Sequence, residues 1–252
     1  MGRILALALS AVVVLHGAAW AGPVEDLIAG TRKECRGCDL TNASFKKVNL
    51  EGVDLTGAIL NGASFHRANL RGAILDGVEA QATNFNMIEA TGAQFRGAKL
   101  ARSMFYGAQL SGADLSDADL TEARLQTARL TSAKLPGAVL DRAVMRDSVA
   151  NSADFSNTSI HQTNLNGARL GRSQFDGAII SYAGFVKAEV SRASFVGATV
   201  SHTDFLRADL RRSKVTGASL TGNRFTSATT REVDFENAIM SGNFMADGRL
   251  QD

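Results

Sequence analysis

Apolar side chains recur at every fifth residue along most of this chain. Of the 43 positions taken in steps of five from Leu40 to Leu250, only Thr230 is not apolar. Leu occupies 19 and Phe 12, and Ile, Val, Met and Ala hold the others. Two residues ahead of each sits a small side chain, most often Ala, as at Ala43, Ala58, Ala63 and Ala68. The positions between are mostly polar, and the register runs for about two hundred residues without an insertion. Such a period fits neither regular element, because a strand repeats every two residues and a helix every 3.6. On a helix, five residues overshoot a full turn by about 140° and would smear the apolar row over every face. The chain must turn a corner once per unit and aim one large side chain inward per side. The pattern predicts a solenoid of short extended sides.

Glycine marks the corners. Of 24 Gly, 17 fall in one phase between Gly37 and Gly242, two residues after the large apolar position. Gly171, Gly184 and Gly248 of the repeat region fall outside that phase. A type II turn prefers Gly third and accepts Pro second, and Pro136-Gly137 supplies that pair in register. Corners without Gly, such as those at Lys47, Arg102 and Glu122, must use another turn or carry strain.

The phenylalanines count the sides. All 12 in the repeat sit at odd multiples of five. Phe45, Phe65, Phe85 and Phe105 are spaced by twenty, and Phe155, Phe175 and Phe195 keep the same step on the other odd phase. A three-sided coil of fifteen residues would scatter them over different sides. A four-sided coil of twenty would stack them as ladders on two opposite sides. A flattened coil of ten also satisfies the period. Ala80 and Ala90 lie in the same stretch as Phe85 and Phe95, which predicts small sides facing large ones at constant core volume.

The runs NLRGAILDG and ADLSDADLTEARL, with the wider A-[D/N]-[L/F] pattern, resemble the pentapeptide-repeat family. The resemblance covers residues 38 to about 245. It implies an all-β fold, a right-handed quadrilateral parallel β-helix, and so a coil of twenty residues. About ten coils at ~4.8 Å per strand step would make a rod ~50 Å long.

The ends read differently. In residues 1–21, Arg3 precedes an apolar run from Ile4 to Leu15, and Ala19-Trp20-Ala21 follows as a small-x-small site. This is the pattern of a secretory signal peptide cut after Ala21, and the apolar run is short for a membrane span. Residues 22–37 form the expected N-terminal cap. Pro23 suits a first helical position, with Val24, Leu27 and Ile28 as an apolar face and Glu25 and Asp26 in the first turn. Residues 38–245 form the repeat, whose pattern degrades from Asn243. Phe244 and Met245 are expected to fold over the last coil, leaving 246–252 as a tail.

Charge narrows the function classes. Lys+Arg number 27 and Asp+Glu 25, a near-neutral balance with no general pull toward nucleic acid. Loss of residues 1–21 removes only Arg3 and leaves +1. Cys35 and Cys38 form CRGC just before the repeat. In an exported chain they are a candidate disulfide tying cap to first coil, with free thiols or a redox pair as alternatives. A zinc site needs about four ligands, and no second Cys pair accompanies them, so no metal or other cofactor is expected. His66, His161 and His202 read as separate surface residues.

One surface row stands out. Arg172, Arg192 and Arg212 are spaced by twenty, which would stack them on successive coils at ~4.8 Å. They form a candidate anion-binding stripe, or a solvated ladder with Glu189 and Asp209 as counter-charges. Val186, Leu206, Tyr106 and His66 share another outward row, and Ile59, Val139, Ile179 and Ile239 a third. The leading expectation is an exported, non-enzymatic solenoid that binds or scaffolds, located in the periplasm or secreted. Its partner would be a protein or an anionic envelope component, with no nucleic acid and no membrane span in the mature chain. Two alternatives belong to other classes. The resemblance brings a DNA-mimicking regulator of topoisomerases, which the signal peptide and the +1 balance disfavour. Cys35 and Cys38 bring a thiol-redox protein.

Overall fold

The structure is a computed structural model that describes residues 22–251. The signal-peptide reading of 1–21 lies outside the described residues.

Every side of the coil pairs with the residue twenty further on, in parallel. Ser44 pairs with Ser64, Asn49 with Asn69, Asp54 with Ile74 and Ile59 with Glu79. These four positions, five apart, are the four sides of one coil. The coil is therefore quadrilateral, and coils of ten and fifteen are excluded. The ladder runs from Glu34 to Phe244, and the fold is a right-handed parallel β-helix. Most sides are too short for more than a single bridge. Among the described residues, full three-residue strands occur on one side only: β1 (Ser159–His161), β2 (Ile179–Ser181), β3 (Thr199–Ser201), β4 (Ser219–Thr221) and β5 (Ile239–Ser241). They form one parallel sheet in sequence order.

Each corner is built the same way. The 42 residues in steps of five from Gly37 to Gly242 all have positive φ, and 25 of them are not Gly. At most corners the residue after closes a turn. Ala138 N–H, for example, donates to the Leu135 carbonyl at 3.0 Å across Pro136-Gly137. Lys47, Arg102 and Glu122 adopt the same left-handed conformation, φ 61°, 59° and 60°, so the corners without Gly carry the strain. For a non-Gly residue that conformation costs roughly 1–2 kcal/mol. It persists because inter-coil bonds fix the backbone on both sides: Lys47 N–H donates to His66 carbonyl at 2.9 Å.

The motif's Asp/Asn position also has a task. The N–H of the first corner residue takes no part in the coil-to-coil ladder. An Asp or Asn two residues earlier accepts it as an Asx turn. Asp54 Oδ1 accepts from Thr56 N at 2.9 Å, Asp119 Oδ1 from Thr121 N at 2.9 Å and Asn84 Oδ1 from Asn86 N at 3.0 Å. Where that residue is missing, an Asn or Asp one coil earlier does the same. Asn61 Oδ1 accepts from Gln81 N and Asn86 Oδ1 from Tyr106 N.

The interior is filled. Phe45, Phe65, Phe85 and Phe105 stack with centroids 4.9–5.2 Å apart. Phe185, Phe205 and Phe225 resume that side at 4.9 and 5.0 Å. Phe155, Phe175 and Phe195 stack on the opposite side at 4.9 and 4.8 Å. The expectation that small sides face large ones needs correction. Phe85 meets Phe95 edge-on across the core at 5.9 Å, because residues ten apart lie opposite one another. Ala80 thus faces Ala90, and volume is balanced around the coil rather than across it. Most polar residues at the small inward position bond to backbone carbonyls, although the buried hydroxyls of Ser148 and Ser213 have no partner among the described residues. Thr83 Oγ1 donates to Leu60 carbonyl at 2.7 Å, and Asn223 and Asn243 link coils near the C-terminal end at 3.0 Å.

Both ends differ from the sequence reading. Helix α1 (Pro23–Ile28) is a single short cap with Leu27 buried against the core, but Ile28 is exposed. A helix this short turns only one side inward. The coil begins at Glu34 rather than residue 38: Cys35 occupies an inward position, 3% exposed, and its N–H donates to Asp54 carbonyl at 2.7 Å. At the other end Phe244 does not fold over the last coil. It stays in register opposite Arg224, about half exposed, and Leu250 returns antiparallel beside it. Gln251 N–H donates to Asn243 carbonyl at 2.8 Å and ties down the tail.

A candidate anion-binding groove

The repeat makes a rod with a packed interior, so any site must be built on its outside. A groove of ≈ 510 Å³ lies on one corner of the C-terminal half. Two adjacent rows build it. Asn151, Gly171 and Ser191 form a floor of small polar groups, and Ser152, Arg172, Arg192, Arg212 and Glu232 form the neighbouring corner row. Arg211 and Arg231 rise from the floor row beyond Ser191 and close that end. The groove exists because the floor side chains are short. A Cβ on Gly171 would meet Asn151 Oδ1 at 3.2 Å, and Gly171 N–H already donates to that oxygen at 3.0 Å.

The structure brings Arg172, Arg192 and Arg212 together in this groove. All three sit at left-handed corners, φ 59–60°, so their side chains project in parallel from equivalent places. Their counter-charges are not those the sequence offered. Asp209 bonds Arg211, Nη2 to Oδ2 at 2.6 Å, and Glu189 approaches Arg169 at 4.0 Å. Instead Glu232 holds Arg212 at 2.7 Å and Arg231 at 3.1 Å. Arg172 and Arg192 have no carboxylate within salt-bridge distance among the described residues. The hydrogen bond from Arg211 holds the Asp209 carboxyl below the ordinary carboxylate range, and Asp209 in turn raises the Arg211 guanidinium. Both stay charged, and the groove keeps an excess of positive charge.

The other candidates sit apart from it. Cys35 and Cys38 are joined by a disulfide. It does not tie the cap to the coil as expected: both residues flank the Gly37 corner, and the bond staples the first turn of the solenoid. Among the described residues there is no cluster of three or more His, Cys, Asp or Glu that could hold a metal, and no helix long and apolar enough to cross a membrane. His66 stands apart, but His161 and His202 do not. Tyr182 lies between them, edge-on to His161 at 5.7 Å and stacked on His202 at 4.9 Å. Tyr182 and His202 are twenty residues apart, the signal that could have found this pair. Ile179 and Ile239 are well exposed on the sheet face, separated by the Thr199 and Ser219 rungs.

Comparison with known proteins agrees with the geometry. A family model for pentapeptide repeats matches in 8 copies between residues 34 and 242. The chain therefore belongs to the pentapeptide-repeat family. No curated protein sequence matches it. Among solved structures it is similar to HetL of the cyanobacterium Nostoc sp. strain PCC 7120, described as involved in heterocyst differentiation regulation. The two are 25% identical with a TM-score of 0.72 over 88% of this chain and 95% of HetL. QnrB1, a plasmid-mediated fluoroquinolone resistance protein, is 18% identical over 82% of this chain and 91% of its own, with a TM-score of 0.37. The HetL likeness carries the fold.

Proposed function

We propose that this protein is an exported, non-enzymatic binding or scaffolding solenoid, and that the arginine groove is its binding site for an anionic partner. The observation that carries this reading is the alignment of Arg172 and Arg192, without carboxylate partners among the described residues, over a floor of Asn151, Gly171 and Ser191. Arginine forks suit carboxylate and phosphate oxygens. Export rests on residues 1–21 and is tested by the N-terminal sequence of protein recovered from outside the cytoplasm, expected to begin at Gly22. A DNA-mimicking role calls for a surface of the opposite sign to this groove.

The site is tested by replacing Arg172, Arg192 and Arg212 with Ser. Ser already occupies left-handed corners at Ser132 and Ser152, so the fold accepts the change. The control replaces Arg67, Arg102 and Arg207, which lie at equivalent corners elsewhere. The groove variant should elute from a sulfonate resin at lower salt than the control. Equal elution of the two would remove the groove as the site.

A further inference from the structure

The shape of the groove narrows the ligand class; this step rests on the groove being the anion site. From Ser152 to Glu232 the corner row climbs four coil steps, about 19 Å at ~4.8 Å each. Over that length the groove is an elongated trough open to solvent along one side. That is room for one extended chain lying along the rod. A small lone anion would leave most of the trough empty.

The lining separates the remaining single chains. Among the described residues no aromatic side chain lines the groove, so a single-stranded nucleic acid would find nothing to stack its bases on. No apolar pocket opens in it either, which leaves a peptide without side-chain anchors. What the floor offers is the side-chain amide of Asn151 and the hydroxyl of Ser191, with Gly171 leaving room between them. These match a ligand with many hydroxyls. The corner row adds guanidiniums at one per coil from Arg172 to Arg212, and these match carboxylates repeated along a chain.

We infer that the groove binds a carboxylated polysaccharide, with the sugar chain parallel to the solenoid axis. Arg172 and Arg192 take successive carboxylates, and the floor takes hydroxyls. Arg212 is already held by Glu232 at 2.7 Å, so the C-terminal end of the groove contributes less.

The test is calorimetric titration of the whole protein with oligogalacturonate, neutral cello-oligosaccharide and inorganic polyphosphate. Variants are R172S/R192S and the control R67S/R102S. Oligogalacturonate should bind and the cello-oligosaccharide should not. R172S/R192S should lose about tenfold per arginine, the usual worth of a hydrogen bond to a charged group, and the control should bind like the parent. Polyphosphate binding through Arg172 and Arg192 without oligogalacturonate binding would overturn the polysaccharide and leave the anion groove standing. Binding of neither anion would overturn both. Equal oligogalacturonate binding by the two double variants would overturn the location.

Discussion

Truncating one rung of a phenylalanine ladder should cost far more than a surface change and should be felt locally. Phe85 is fully buried. It stacks on Phe65 at 5.2 Å and on Phe105 at 4.9 Å, and meets Phe95 edge-on at 5.9 Å. Replacing a buried Phe with Ala typically costs about 3–5 kcal/mol. Each aromatic pair is worth roughly 0.5–1.5 kcal/mol beyond the area it buries, and three pairs are lost at once. Phe85→Ala should therefore lie near the upper end of the range. In a chain of this size 1 kcal/mol moves Tm by about 2–4 °C, so the fall should be on the order of 10–20 °C. Each coil touches only its neighbours. Hydrogen exchange should therefore accelerate most in the coils from residue 65 to 105 and least beyond residue 160. The assay is thermal unfolding by circular dichroism together with exchange mass spectrometry. A double-mutant cycle between Phe85 and Phe105 should show coupling of about 0.5–1.5 kcal/mol. A Tm loss below a few degrees, or no coupling between residues twenty apart, would refute the stacked-ladder reasoning.

Four further perturbations test other parts of the structure. Gly57 has φ +66° with open space where a Cβ would go. Gly57→Ala should lose about 1 kcal/mol, the left-handed penalty partly offset by a stiffer unfolded chain. Ala82→Gly, at φ 53°, should gain a similar amount in denaturant unfolding. Reducing the Cys35–Cys38 bond frees a loop only three residues apart. By loop-closure entropy that costs about 2 kcal/mol, and faster exchange should be confined to the first coil. Asp209 has a folded pKa held down by Arg211. Its stabilisation is complete above the ordinary carboxylate value of about 4 and is lost as pH falls through the lower folded value. The Tm gap between parent and Asp209→Asn should shrink as pH drops below about 4; a gap that widens would contradict the sign.

The periodic features of the sequence carry the fold a long way. A large apolar residue every fifth position can be satisfied only by a cornered coil, and Phe45 to Phe105 at steps of twenty point to four sides. What the period does not show is which residues meet across the coil. The facing of Phe85 and Phe95 depends on the closed square, and so does Ala80 with Ala90. The start of the coil at Glu34 is hidden in the sequence because Cys35, which fills an inward position, does not look like Leu or Phe. The Asx turns are latent in A-[D/N]-[L/F], but their partner is a backbone N–H and has no letter in the sequence.

The site is legible in part. Arg172, Arg192 and Arg212 follow from the step of twenty alone. The groove needs the floor row as well, and its mark is Gly171, a glycine out of phase with the corners. Which arginines lack a carboxylate partner depends on side-chain reach. Asp209 turns to Arg211 and Glu232 to Arg212, choices that spacing does not dictate.

The claim joining fold to site is that Arg172 and Arg192 stand directly above one another on successive coils. Cysteine pairs test this. At ~4.8 Å between rungs a pair replacing Arg172 and Arg192 lies within the ~4.4–6.8 Å that a disulfide bridges. Arg172→Cys with Arg192→Cys should oxidise to an intramolecular disulfide without loss of fold. Arg172→Cys with Lys187→Cys should keep both thiols free, because a step of fifteen leads to another side. Rapid closure of the second pair and not the first would contradict the four-sided coil and the groove built on it.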